Sequence, residues 1–534
     1  MRYFILSLVA VTLLVDAIIL TVFINEWFIL SIVVPLVLIN TLLKNIPKKK
    51  KVVGFELGKG TDIANPETPI NVKHVVLEDK VLNLGFLGIG SPGSGKSVIA
   101  VSVLEYFTKV REGGWLYADG KGDLDIYQSC MSCGAQPDKF FSSELPNSET
   151  VNVVSGPLED VIDSLTEVLI TTDNEYYKNA QKAALRSVLP LLHKIGIPFT
   201  LRDLYVVFAN NEASQYVLNL ANKHNVPPDV IELANNFFEI EPKSRAEQVN
   251  GLLTRMQLFV TGDVADRINA YEPTLKLEQA VSNNLKVYLH MPYTHFSKDI
   301  ATLLTQQLGG IAKNRQLYED QRTPWPMIFD DWGVFFFDGI GPITARCRSA
   351  KMPVSYLFQS KGQTNEISVH FTDQITDNIG GLMVLRINGQ GTASWAGGQF
   401  GTYESVEYSA NENTRFNGTG QNMTVTEKPR VRADDIKNLN AGEAYIDTFI
   451  TGEGGKSSNK RYKARFPLPD FSKAREYQWP IIETGKHNDE CEGLQLWRDF
   501  MNADRLKQLK SNIVKSALDD VKEDITELDE VDFL

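Results

Sequence analysis

At 534 residues the chain is too long for one ordinary domain, and with 43% hydrophobic and 22% charged residues its composition is globular. The net charge of −12 excludes a surface coated in basic residues, although a local patch can still meet nucleic acid. The acidity is uneven: residues 518–534 hold eight acids and one lysine, a net of −7, which leaves −5 for the other 517 residues.

The first two elements are apolar. Tyr3–Ile24 runs for 22 residues with one charge, Asp16, and Trp27–Leu43 for 17 residues with none. Each is long enough to cross a bilayer's hydrocarbon core. No small-residue cleavage site precedes Asn25 and a second span follows at once, so a signal peptide is the poorer reading. We expect a transmembrane hairpin over residues 1–47, with helices at about 3–24 and 27–43 joined by Asn25-Glu26. Arg2, Lys44 and Lys48–Lys51 put both ends on the cytoplasmic side. Asp16 would cost about 2.5–3.5 kcal/mol at mid-membrane, so it is expected to face a partner helix.

Residues 48–84 are polar and read as a linker leading into the soluble part. Six short apolar runs then read as buried strands: 85–90, 114–120, 285–291, 326–331, 353–359 and 381–387. Helical patterns separate them, which predicts a mainly parallel α/β sheet. The interval 158–267 interrupts this rhythm with helical periodicity alone and reads as an inserted all-helical domain. It divides the α/β domain into 85–157 and 268–470. Residues 471–534 form a helical extension, amphipathic over Leu494–Leu518, ending in the acidic tail. The spaced Val521, Ile525, Leu528, Val531, Phe533 and Leu534 mark that tail as a partner-binding peptide.

Four cysteines carry no metal or redox signature. Cys130 and Cys133 form a lone CxxC without a second ligand pair or a thioredoxin-like context, and Cys347 and Cys491 stand alone. They read as reduced thiols.

The strongest chemical signal is Gly90-Ser91-Pro92-Gly93-Ser94-Gly95-Lys96-Ser97. It matches GxxxxGK[ST] between an apolar strand and a helix, the context a phosphate-binding loop requires. Its glycines let backbone N–H groups curl around a phosphate, Lys96 reaches the β- and γ-phosphates of ATP, and the Ser97 hydroxyl ligates Mg2+. Asp330 and Asp331 end a later strand: Asp330 is read as the Mg2+-side acid, Asp331 as the base that orients water. Gln359, at the end of the next strand, is a candidate γ-phosphate sensor.

Asp119, Lys121, Asp123 and Asp125 alternate as calcium-loop ligands do, but the sequence fails that pattern. Lysine stands third, Leu124 replaces the sixth-position glycine, and Cys130 replaces the twelfth-position glutamate. Asp119 instead closes a strand at the carboxyl edge of the sheet, where α/β proteins place ligands. Lys456–Phe466, with five basic residues and two aromatics, reads equally as a nucleic-acid contact or a solvated hairpin.

The hairpin, the P-loop, "DGKGD" (119–123), the helical insertion, "IFDDWG" (328–333), "FQSKGQ" (358–363), "ITDNIGG" (375–381) and Val431–Ile446 occur in the order found in type IV secretion coupling proteins. Together they make the chain resemble that family of membrane-anchored conjugation ATPases. The resemblance covers nearly the whole chain and departs from the family at Asp331, where glutamate is usual, and in a short C-terminal extension. It implies a RecA-like motor in a homohexameric ring, anchored in the bacterial inner membrane with its bulk in the cytoplasm. It also implies a relaxase–DNA substrate, single-stranded in its DNA, delivered to the channel components. By the same resemblance Lys121 lies near nucleotide or a neighbouring subunit. Arg348 serves as an arginine finger in trans, with Arg346 the competing candidate, and the acidic tail binds a relaxosome accessory protein. Two other readings stay open: a receptor or scaffold with little ATPase activity, and an FtsK/HerA-like DNA translocase.

Overall fold

The six apolar runs fold as parallel strands of one sheet. The computed structural model describes residues 11–12, 54–318, 322–337, 339–365, 371–413, 418–451, 457–482, 485 and 488–501. The chain divides into two units, Met1–Val53 and Gly54–Leu534. Of the first, only Val11 and Thr12, both helical, are described. The expected membrane hairpin therefore lies outside the described residues apart from these two. Among the described residues, no helix is long and apolar enough to cross a membrane.

The strands are β1 (Gly54–Asp62), β2 (Ile70–Glu78), β3 (Phe86–Ile89), β4 (Trp115–Asp119), β5 (Lys139–Ser142), β6 (Lys286–His290), β7 (Met327–Asp330), β8 (Val354–Phe358), β9 (Gly381–Val384), β10 (Thr402–Asn413), β11 (Gly418–Pro429), β12 (Glu443–Thr451) and β13 (Ser457–Arg465). Eleven of them form one sheet in the order β2-β1-β13-β12-β9-β3-β8-β7-β4-β6-β5, and β10 pairs β11 as a separate hairpin. From β9 to β5 every pairing is parallel; from β9 outward to β2 every pairing is antiparallel.

Parallel strands are covered on both faces, which is why their sequences read as unbroken apolar runs. Successive residues nonetheless face different cores. Trp115 and Tyr117 pack with Ile99, Val103 and Leu104 of the helix Lys96–Lys109. Leu116 and Ala118 pack on the other side with Leu303 and Leu304 of the helix His295–Tyr318. Each such aliphatic side chain, fully buried, contributes about 1.5–3 kcal/mol relative to exposure.

The stretch expected to be linker is not one: residues 54–62 and 70–78 are β1 and β2, sealing the antiparallel edge of the sheet. β2 is interrupted by Asn71, Lys73 and His74 and buries only Val75 and Leu77, so it lacks the apolar run that marks a central strand. The basic stretch 456–466 is largely β13, paired on both sides. Its cations face acids of the flanking strands: Lys460 lies 3.7 Å from Asp62, Arg461 3.6 Å from Asp447 and Lys463 3.9 Å from Glu443. That placement gives β13 a role in the sheet rather than a free basic arm.

Between β5 and β6 the described residues form eight helices and no strand: seven from Leu158–Leu169 to Ala265–Ile268, then Leu277–Ser282 just before β6. Local signals set their ends. The Asn174 side chain accepts from Tyr176 N at the start of Glu175–Ile195, Gly196 ends that helix at φ 78°, and Thr200 with Asp203 forms a capping box for Leu201–Ala209. Backbone bonds from Val151 N to Arg267 O and from Ala270 N to Val151 O close the base of this helical region.

Beyond β13 the chain crosses the sheet's other edge. Gln128 donates to Tyr477 O at 2.6 Å and Trp479 packs on Tyr127 and Phe140. The segment then docks on the helices through Leu494 N to Pro198 O and Leu496 N to Asp203 Oδ1. All four cysteines are buried and none is in a disulfide. Burial pushes the Cys133 thiol up to about 11, which makes it a poor nucleophile or ligand.

Candidate active site

β3 ends in the P-loop, and the helix Lys96–Lys109 starts within it. Gly93 (φ 72°) and Gly95 (φ 104°) hold left-handed backbone that a side chain would strain, and nothing stands within 4 Å of where a Cβ on Gly93 would be. The loop is thus an open cradle of backbone at a helix N-terminus, the arrangement that binds phosphate. Ser91 and Ser94 are buried while Pro92 and Gly93 are exposed. Ser91 ties the loop to the chain beyond β9, with its N donating to Arg386 O at 2.8 Å and its Oγ accepting from Asn388 N at 2.9 Å. Ser94 Oγ and Arg386 Nε are buried without a hydrogen-bond partner, two donors with no acceptor beside the cradle.

Lys96 is 6% exposed, and its Nζ donates to Gly90 O at 2.8 Å. The same Nζ lies 3.8 Å from Asp331 Oδ1, to which Gln359 Nε2 donates at 3.2 Å. Three expected residues from three strand ends therefore converge on one carboxylate. Asp331 reaches this place from left-handed backbone (φ 49°, ψ 38°), a conformation aspartate tolerates better than most residues. Gln359 is itself held, its N donating to Gln363 Oε1 at 3.1 Å.

Asp330 and Asp119 lie side by side in the ladder of β7 and β4. Both are buried. Tyr117 OH donates to Asp330 Oδ2 at 2.7 Å, and Tyr288 OH to Asp119 Oδ2 at 2.8 Å. Burial first, then the neighbouring Asp331 charge, raises the Asp330 carboxyl, while bonds from Tyr117 and Ser97 hold it down. Burial pushes Asp119 up to about 7 against its own hydrogen bonds, with the Asp330 charge adding to the rise. Two buried acids side by side on adjacent strands suit a cation. Ser97 and Asp330 supply the hydroxyl and carboxylate that Mg2+ uses when substrate phosphates complete its shell. Among the described residues no three His, Cys, Asp or Glu gather as an all-protein metal cage. The donor set fits ATP and Mg2+.

The Asp119 proton carries a pH prediction. A folded pKa of about 7 lies above the usual carboxylate value, so the folded protein holds a proton that the unfolded chain has released. Stability from this group is complete near pH 4 and is lost as pH rises through 7. Urea unfolding at pH 5 and pH 8 is expected to show Asp119→Asn losing part of the wild-type decline; an identical slope would remove Asp119 as its source.

Asp119 also shapes its loop. Its Oδ1 accepts from Lys121 N at 3.0 Å and Gly122 N at 2.9 Å. Gly122 has φ 72°, and a Cβ on Gly120 would stand 2.7 Å from Asp331 O, so the two glycines serve a turn and a close approach respectively. Lys121 is exposed and pairs with Asp123 within its own loop. Arg348 does not join the cluster: it closes the helix Ile340–Ser349, which feeds the amino end of β8, and its Nη1 donates to Asn378 O at 3.3 Å. Arg346 is on the same helix, its carbonyl accepting from Gln316. Sequence reasoning missed Tyr117 and Tyr288. Their signal was a phenol inside an apolar strand, where a buried hydroxyl needs a partner.

Fold and cradle together define the mainly parallel α/β class of P-loop NTPases. Its structural neighbours are conjugative coupling proteins. The chain is similar to the bacterial conjugative coupling protein TrwBdeltaN70 in an unbound form, at 13% identity over 77% of this chain and 90% of that one, with a TM-score of 0.54. It is similar to plasmid coupling protein TrwB in complex with the GTP analogue GDPNP, at 14% identity, 77% and 91% coverage and TM-score 0.54. The complex of TrwB with ADP and Mg2+ matches at 13% identity, 77% and 90% coverage and TM-score 0.52. At these identities the likeness is one of fold. No protein-family model and no curated protein matches the sequence.

Proposed function

We propose that this chain is a membrane-anchored ATPase that couples DNA, protein or both to a type IV secretion channel. The observation that carries the reading is the convergence of Lys96 and Gln359 on Asp331 beside the P-loop, in a fold shared with TrwB. TrwB complexes with ADP and Mg2+ and with an ATP analogue support the choice of ligands. Bound there, ATP with Mg2+ supplies the transferable phosphoryl group and the charge that neutralises it. The chain's own residues do the rest. The P-loop amides and Lys96 hold the β- and γ-phosphates, Ser97 and Asp330 hold the metal, and Asp331 orients water by accepting its hydrogen bond. Gln359, bonded to Asp331, links that carboxylate to the end of β8 and so to phosphate occupancy.

Arg348 lies at the amino end of β8, away from this chain's own P-loop, so as an arginine finger it would act in trans within a homohexameric ring. Residues 158–267 are proposed as the substrate-facing domain, 85–157 and 268–470 as the two parts of the motor, and 471–534 as the C-terminal extension. Residues 1–47 would anchor the ring in the inner membrane, and the acidic tail would bind a relaxosome accessory protein. The test is ATP turnover by the full chain in detergent, with and without single-stranded DNA. Turnover stimulated by DNA is expected. No turnover under either condition would overturn the ATPase, and turnover indifferent to DNA would redirect the reading to protein substrates.

A further inference from the structure

The two acids belong to a longer polar row. In register across four parallel strands stand Ser142, His290, Asp119 and Asp330. The last two belong to the site; the first two have no part in it so far. His290 is 3% exposed. Its Nδ1 lies 2.8 Å from Ser142 Oγ, and its Nε2 lies 3.2 Å from Gly122 O. Ser142 Oγ already accepts from Glu144 N at 3.0 Å and Leu145 N at 2.8 Å, so its own proton is turned to His290 Nδ1. That fixes the tautomer: Nε2 carries the hydrogen and donates to Gly122 O. Gly122 N in turn donates to Asp119 Oδ1. A Cβ at position 122 would stand 2.6 Å from Pro292 Cβ and 3.0 Å from His290 Nε2, so only a bare glycine lets the loop pass between proline and ring.

The ring is seated from outside. Phe140 stacks on it with ring centroids 6.1 Å apart, and Trp479 meets it in a T-shaped contact at 4.5 Å. Trp479 belongs to the segment that continues to the helical region, where Leu496 N donates to Asp203.

We infer that His290 is a positioning residue for the hydrolytic site: it fixes the Asp119–Asp123 loop against the paired acids, and Trp479 makes that hold sensitive to the docking of the C-terminal segment. The inference rests on the ATPase reading for its function, but not for its geometry. The loop carries Lys121, whose ammonium lies within electrostatic reach of Asp331 and Asp119. A loosened loop would therefore change the charge around Asp331 while leaving the P-loop untouched.

His290→Phe keeps the stack on Phe140 and Trp479 and removes both nitrogens. His290→Gln restores a donor near Nε2. In the nucleotide-free full chain, amide exchange at Lys121 and Gly122 is expected to rise about fivefold or more in His290→Phe, the loss of one hydrogen bond. Exchange in the helix Lys96–Lys109 is expected to stay as in wild type. With ATP, kcat is expected to fall about tenfold with KM nearly unchanged, as for other outer residues that orient a site. The glutamine variant recovers most of both. Unchanged exchange at Lys121 and Gly122, or a glutamine variant no better than phenylalanine, would overturn the inference. A wild type without ATP turnover would sink the ATPase reading instead, and the exchange measurement would still decide the positioning. Should His290→Phe not fold, Ser142→Ala frees Nδ1 and carries the same exchange test, with unchanged exchange again the overturning result.

Discussion

Replacing Lys96 by alanine is expected to lower ATP turnover by about a thousandfold, the scale of losing a preorganised charge aimed at the reacting group. The ammonium is almost wholly buried, bonded to Gly90 O and 3.8 Å from Asp331 Oδ1, so it is already aimed before any ligand arrives. No other lysine or arginine side chain bonds the P-loop among the described residues, so no neighbour replaces it. Lys96→Arg should not rescue, because a planar fork cannot take the place of a point charge inside a closed loop. The fold should survive, since Lys96 makes only one hydrogen bond and a long ion pair. Turnover and thermal unfolding of wild type, Lys96→Ala and Lys96→Arg decide the matter. Turnover in the alanine variant within tenfold of wild type would sink the assigned role.

The same residues explain what the sequence could and could not disclose. The P-loop is legible because its chemistry is made by consecutive residues, and Asp330 and Asp331 because an apolar strand ends abruptly in two acids. The six central strands are legible because burial on both faces leaves an unbroken apolar run. β1, β2 and β13 escape that test: they lie in the antiparallel half, where one face meets water and sequences such as "SSNKRYKAR" look like loop. The row Ser142–His290–Asp119–Asp330 is invisible for another reason. Its members are up to 211 residues apart in sequence (Asp119 to Asp330) and meet only through strand order, which skips from β5 to β6 across the helical insertion. The opening of "DGKGD" could be read as a turn, but not which glycine bends and which gives way to a neighbouring backbone. Lys121 pairs with Asp123, two residues along the same loop, a local partner that sequence order alone does not choose.

The largest expected loss of stability lies far from the P-loop, at Asp203. This carboxylate is fully buried and accepts from Thr200 N at 2.8 Å, Thr200 Oγ1 at 3.1 Å, Tyr271 OH at 2.8 Å and Leu496 N at 2.9 Å. Three parts of the chain thereby meet on one side chain: the start of the helix Leu201–Ala209, the exit from the helical region, and the C-terminal segment. Asp203→Ala leaves buried donors from all three without an acceptor, an expected cost of about 3–5 kcal/mol. Asp203→Asn keeps one acceptor oxygen and the shape. Burial raises the native carboxyl above its ordinary value, so the negative charge itself is disfavoured there, and the amide is expected to cost less, about 1–3 kcal/mol. The order alanine worse than asparagine worse than wild type should appear in denaturant midpoints. It should appear again in protease cutting between Pro467 and Met501, because Leu496 N and, through Tyr271 OH, Gln495 N both depend on this acid. Cutting no faster in Asp203→Ala than in wild type would show that the segment docks by its other contacts: Trp497 against Arg202 and Tyr205, and Phe500 against Tyr216. If the order holds, the segment that seats Trp479 against His290 is moored by one carboxylate in the helical region. A ligand that displaced Leu496 from Asp203 would then slacken the chain that runs back to the Asp119–Asp123 loop.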